Sequence, residues 1–124
     1  MNSAASEEGR TGANTNPDAS LAEITPRELA VLLRSNSPPV LIDVREAHEH
    51  AYARIVPARL VPLATLAANI DTLPRDADLV IYCHHGVRSA YAVDMLRSAG
   101  IHSRNLIGGI ERWSTEVDPS VRRY

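Results

Sequence analysis

The sequence has no lysine, a single cysteine and no long apolar stretch, and each shortage removes a class of function. All thirteen basic residues are arginine. Schiff-base chemistry, a lysine general base and a phosphate-loop lysine are thereby excluded together. One cysteine cannot form an internal disulfide, which rules out a stapled secreted framework and a self-resolving Cys-x-x-Cys redox pair and makes a reducing compartment the expected setting. No run of roughly 18 apolar residues, the length a membrane helix needs, occurs anywhere. Residues 1–20 also lack the apolar core of a signal peptide. The expectation is a cytoplasmic protein with no membrane partner. A net charge of −2 leaves no broad basic surface for nucleic acid.

What is present fits one domain, since 124 residues with 44% hydrophobic composition support one core rather than two. Residues 1–20 are rich in Asn, Ser, Thr, Gly, Glu and Ala and cannot bury enough surface to order themselves, so they are expected to form a flexible tail. The domain is expected over 21–119, with 120–124 as a short tail on the surface. No internal repeat occurs. Strand and helix patterns alternate along the domain. A short strand at 22–24 precedes a helix start at Thr25, with Pro26 at its first position and Glu28 completing a capping box. That helix is predicted to reach Arg34 and to bury Leu29, Val31, Leu32 and Leu33. Strands follow at 40–44, 60–61, 79–82 and 103–107. Helices are predicted at 46–53, at 62–73 with Leu63, Leu66, Ala67, Ile70 and Leu73 inward, from Ser89 to Gly100, and as one turn at 110–114 after Gly108 and Gly109. The order predicts an α/β fold, a parallel β-sheet flanked by helices on both faces.

The informative stretch is LVIYCHHGVRSAYAVDMLRSAG, residues 79–100. Leu79 to Tyr82 is an unbroken apolar run, which suits a strand buried on both faces. The helical period begins at Ser89. Between them stand Cys83, His84, His85, Gly86, Val87 and Arg88. A tight turn from strand to helix points successive backbone amides into one concavity, with the helix N-terminus aimed at the same spot. Those donors and the Arg88 guanidinium would favour a thiolate on Cys83. The residues alone therefore reach an activated cysteine nucleophile in an anion-binding loop.

That loop resembles the active-site loop of the rhodanese family of sulfurtransferases, which opens with cysteine and often carries glycine and arginine. Val40 to Arg45, VLIDVR, is similar to the family's early strand ending in Asp-x-Arg. Asn105 to Trp113, NLIGGIERW, is similar to its late Gly-Gly-x-x-x-Trp segment. The resemblance implies a rhodanese-like fold and a reaction that needs no cofactor. Cys83 would take the outer sulfur of a small anionic donor such as thiosulfate, hold it as a persulfide and pass it to cyanide or an external thiol, including a protein thiol. Arg88 would hold the donor's oxygens, and the amides of His84, His85, Gly86, Val87 and Ser89 would line the cradle. One segment departs from the family, which commonly reads Gly-His-Ile-Pro-Gly-Ala where this chain has Ala53-Arg54-Ile55-Val56-Pro57-Ala58. Arg54 stands in place of that histidine.

Asp43 ends its strand at the same sheet edge as Cys83, so Asp43 and Arg45 are possible supporting residues, with a structural ion pair the favoured role. A zinc site built on Cys83, His84 and His85 with His48 or His50 is disfavoured. Three adjacent loop residues rarely converge on one metal, and His48 and His50 lie on different helix faces. Three rivals to sulfur transfer stay open: a cysteine-based phosphatase or arsenate reductase, whose usual Cys-x5-Arg spacing is here Cys-x4-Arg, a non-catalytic binding module of the same fold, and a redox-sensing thiol.

Overall fold

The computed structural model describes residues 22–124; the expected tail at 1–20, and Leu21, lie outside the described residues. Five strands, β1 (Glu23–Ile24), β2 (Val40–Asp43), β3 (Ala58–Leu60), β4 (Leu79–Tyr82) and β5 (Arg104–Leu106), form one sheet in the order β1-β5-β4-β2-β3. Every pairing is parallel. Between and after them lie the helices α1 (Pro26–Leu33), α2 (Ala47–Tyr52), α3 (Leu66–Asn69), α4 (Val87–Ser98) and α5 (Gly109–Glu116).

Alternation along the central strands divides the core in two, because successive side chains of a strand point to opposite faces. Leu79 and Ile81 of β4, with Ile42 and Val44, pack on one face with Leu66, Leu73, Ala92, Val93 and Leu96. Val80 and Tyr82, with Leu41, pack on the other with Leu29, Leu106, Ile110 and Trp113. All four residues of β4 are buried, which is why its sequence is an unbroken apolar run. Cys83 continues the first of these rows and sits against the α4 side of the sheet.

Local signals set the helix ends. Glu28 N donates to Thr25 Oγ1 at 3.1 Å while Thr25 N donates to Glu28 Oε1 at 2.9 Å, so two otherwise orphaned amides are satisfied reciprocally. At the end of α4, Ile101 N reaches Leu96 O and Gly100 N reaches Arg97 O, the paired bonds of a Schellman motif.

Several expectations are corrected, including the strand expected at 60–61, which the structure places at Ala58–Leu60. Val31 is 66% exposed, so α1 buries Leu29 and only partly covers Leu32 and Leu33. Residues 62–73 do not form one helix but a 3-10 turn (Leu63–Thr65), the single turn α3 and a second 3-10 turn (Ile70–Thr72). Side chains compete with the helical ladder there: Thr65 Oγ1 donates to Pro62 O, Asn69 Nδ2 to Thr65 O and Thr72 Oγ1 to Asn69 O. Leu66 and Leu73 are buried as expected, but Ala67 is exposed. Helix α4 begins at Val87 rather than Ser89, which places Val87 and Arg88 in its first turn. Helix α5 runs over Gly109–Glu116, longer than the single turn expected.

Thr25→Ala removes the capping hydroxyl and should cost about 1 kcal/mol, read as a lower urea midpoint at unchanged m-value. Val31→Ser should leave the unfolding free energy within about 0.5 kcal/mol of the parent, as for an exposed position away from special contacts.

Candidate active site

Parallel pairing of β2 with β4 aligns Asp43 with Tyr82, so the residues that follow each strand emerge at one sheet edge. Ligands of open α/β sheets bind at that edge. Cys83 leaves β4 there, and the chain reaches α4 through His84, His85 and Gly86 alone. Gly86 has φ of +103°, a left-handed conformation that side chains rarely adopt, and serves as the N-cap of α4. The turn brings Gly86 N to 3.1 Å and Ser89 N to 3.4 Å from Cys83 Sγ, and the thiol is 1% exposed.

Three further contacts fix this geometry. Ser89 Oγ lies 3.2 Å from Sγ and donates to Asn105 Oδ1 at 2.6 Å. Asn105 Nδ2 donates to Gly86 O at 3.1 Å, which settles the orientation of that amide. From outside the loop, Ile110 N and Glu111 N at the start of α5 donate to Cys83 O and His84 O. The approach is so close that a Cβ on Gly109 would collide with both carbonyls. Among the described residues, the amides of His84, His85, Val87 and Arg88 have no protein acceptor.

Arg88 reaches sideways to α2, where Nη1 donates to Glu49 Oε1 at 2.7 Å and Nη2 to Oε2 at 3.0 Å. Glu49 also accepts from Tyr124 Oη at 2.8 Å and from Glu46 N at 3.0 Å. The Arg88 hydrogen bonds, working against partial burial, hold the Glu49 carboxyl down at about 2. Arg88 is kept protonated, above all by Glu49 and more weakly by the sulfur of Cys83.

Beneath this pair, Asp43 and Arg45 are fully buried and bonded twice, from Arg45 Nε to Oδ1 at 2.9 Å and from Nη2 to Oδ2 at 2.6 Å. Arg45 further donates to Ala53 O at 2.6 Å and to Tyr124 Oη at 2.7 Å. His50 Nδ1 stands 2.8 Å from Asp43 Oδ2. Burial alone would raise the pKa of Asp43, but the bonds from Arg45 and His50 outweigh it and leave a carboxylate. The His84 ring is stacked between His85 and Tyr124, each centroid 3.9 Å away. Burial, helped by His85, lowers its pKa, and among the described residues its buried Nε2 has no partner. Arg54 is exposed on a surface groove with Tyr52, Val56 and Arg122.

A parallel sheet with a buried cysteine at the head of a helix, ringed by amides, matches a known architecture. The family model described as "Rhodanese-like domain" covers residues 25–116. The chain belongs to the rhodanese-like family. A rhodanese-like domain protein from Staphylococcus aureus superposes with a TM-score of 0.73 at 32% identity, covering 82% of this chain and 97% of that one. A protein from Allochromatium vinosum named "Sulfurtransferase" is 33% identical over 80% of this chain and 94% of its own length. The Mycobacterium tuberculosis protein named "Probable adenylyltransferase/sulfurtransferase MoeZ" is 38% identical over 82% of this chain. The match spans only 26% of MoeZ, and similarly small shares of the maize relatives named "Adenylyltransferase and sulfurtransferase". Among the described residues no helix is long and apolar enough to cross a membrane.

The structure thus brings Gly86 and Ser89 to the Cys83 sulfur, leaves His84, His85, Val87 and Arg88 in the same loop and first helical turn with Arg88 paired to Glu49, and joins Asp43 and Arg45 to Tyr124 and His50. Sequence reasoning missed Glu49 and Asn105, weighed His50 only as a disfavoured zinc ligand rather than as a partner of Asp43, and left Tyr124 in a surface tail although its hydroxyl bonds Arg45 and Glu49. Asn105 opens a segment already singled out for its resemblance, and Glu49 completes a second capping box, here with Glu46. No local pattern marks Tyr124.

The position of Glu49 has a pH consequence. Its ordinary value is 4.5 and its folded value about 2, so between them the unfolded chain binds the proton more readily. The stabilisation is present above the ordinary value and drains away as pH falls toward the folded one. Melting temperature followed from about pH 6 to pH 2 should therefore drop less steeply in Glu49→Gln than in the parent, with the modest amplitude of a partly solvated pair.

Proposed function

We propose that this rhodanese-like chain is a sulfurtransferase that carries a sulfane sulfur from a small anionic donor such as thiosulfate as a persulfide on Cys83. The observation that carries the reading is the distribution of amides around the sulfur. Gly86 N and Ser89 N point at Sγ, and the amides of His84, His85, Val87 and Arg88 are left without acceptors among the described residues. A sulfur anion and the outer sulfur attached to it both gain from such preorganised donors. Ser89 adds a hydroxyl that can turn its hydrogen from Asn105 to the sulfur.

In the first half-reaction the Cys83 thiolate attacks the outer sulfur of thiosulfate. The donor's S–S bond breaks, its electron pair leaves on sulfite, and a Cys83 persulfide remains. In the second, an acceptor nucleophile attacks the outer sulfur and returns the thiolate; cyanide leaves as thiocyanate and a thiol leaves as its persulfide. The chain has one cysteine, so no second thiol of its own can resolve the intermediate, and the acceptor must come from outside. Phosphoryl transfer is less well served, because three equatorial oxygens need donors at once and the arginine here already holds a carboxylate.

Incubation with thiosulfate should add the mass of one sulfur atom to the intact protein, and cyanide should remove it as thiocyanate. Cys83→Ser should do neither. Initial rates with both substrates varied should give the parallel double-reciprocal lines of a ping-pong reaction. Thiocyanate production at the parental rate by the serine variant, or Cys83-dependent release of phosphate from aryl phosphates exceeding it, overturns the assignment.

A further inference from the structure

The cradle's arginine is not free to meet an anion at full charge. Both terminal nitrogens of Arg88 rest on Glu49, whose side chain is only 11% exposed. Four hydrogen bonds immobilise that carboxylate: two from Arg88, one from Glu46 N at the start of α2, and one from Tyr124 Oη. Tyr124 is itself held by Arg45 Nη1 and by stacking on His84. Glu49 therefore cannot swing aside without breaking contacts that reach the buried Asp43–Arg45 pair. It also stays ionised through the neutral range, so a change of pH in that range does not relieve the neutralisation.

We infer that Glu49, fixed in place by Tyr124, determines donor specificity by charge: the site takes sulfane-sulfur donors bearing one negative charge, thiosulfonates or persulfides, in preference to the dianion thiosulfate. The inference rests on the sulfurtransferase reading above. A monoanion can be held by the loop amides and the dipole of α4, with Arg88 still shared with Glu49. A second negative charge brings the donor into repulsion with a carboxylate that has nowhere to go. The transfer balances without another reactant. The Cys83 thiolate attacks the outer sulfur of R–SO2–S⁻ or R–S–S⁻, the S–S bond breaks, and the bond's electron pair leaves on the sulfinate or the thiolate.

Methanethiosulfonate is nearly isosteric with thiosulfate and carries one charge less, so the pair isolates the variable. The quantity to compare is the ratio of kcat/KM for thiosulfate to that for methanethiosulfonate, with cyanide as acceptor, so that intrinsic reactivity cancels between variants. Glu49→Gln should raise this ratio about tenfold, the size expected when one unit charge that shares Arg88 with the donor is removed in a partly solvated site. Tyr124→Phe keeps the ring stack and removes the hydroxyl, and should move the ratio the same way by a smaller factor.

A second readout does not depend on sulfur transfer. The rate of Cys83 alkylation by iodoacetate relative to iodoacetamide should rise in Glu49→Gln. An unchanged donor ratio, or an equal change for both donors, overturns the inference, because loosening of the structure alone would affect the two isosteres alike. A raised alkylation ratio with no sulfur transfer from either donor upholds the charge assigned to Glu49 and overturns the sulfurtransferase reading instead.

Discussion

A guanidinium with no access to water must place its donors on protein acceptors, and Arg45 does so in a way that fixes most of the site. Its bonds to Asp43 tie it to the end of β2. Its bond to Ala53 O anchors the chain leaving α2, and its bond to Tyr124 Oη draws the last residue of the sequence over the sheet edge. From Tyr124 the connection continues to Glu49 and then to Arg88 in the first turn of α4. One buried charge thereby sets the positions of three separate segments around a cysteine it does not touch.

Much of this was legible in the sequence where the signal is local. Leu79 to Tyr82 reads as a strand because burial on both faces demands apolar residues without interruption, and the thiol follows it directly. Thr25 and Glu28 announce a helix start through bonds spanning three residues. The pattern at 62–73 misled because Leu66, Ile70 and Leu73 keep a helical period while Thr65, Asn69 and Thr72 cap each turn from within. The pairings of Glu49, Asn105 and Tyr124 were beyond reach for a different reason. Their partners lie far along the chain, 39 residues between Glu49 and Arg88 and 75 between Tyr124 and Glu49, and a pairing at that range leaves no periodic trace.

The geometry divides the work of the loop between groups that face the sulfur and groups that hold those groups still. Amides of Gly86 and Ser89 belong to the first kind. Asn105 belongs to the second, since it takes the hydroxyl of Ser89 on one side and the carbonyl of Gly86 on the other. Arg88 belongs to the second as well, since both of its terminal nitrogens join the first turn of α4 to Glu49 on α2. Charge at the site is thus arranged in neutral pairs, and the unpaired polarity is carried by the backbone.

The clamp from α5 has an effect on that backbone polarity. In a trans peptide the carbonyl and the following N–H point to opposite sides. Because Ile110 N and Glu111 N hold Cys83 O and His84 O, the planes that contain the His84 and His85 amides cannot flip, and both N–H dipoles are kept facing away from α5. The orientation of the loop's dipoles is therefore held from α5, and Gly109 makes the contact possible by having no side chain. Redesign confined to the lining of the pocket would leave that polarity untouched; a single methyl group added behind it, at Gly109, would not.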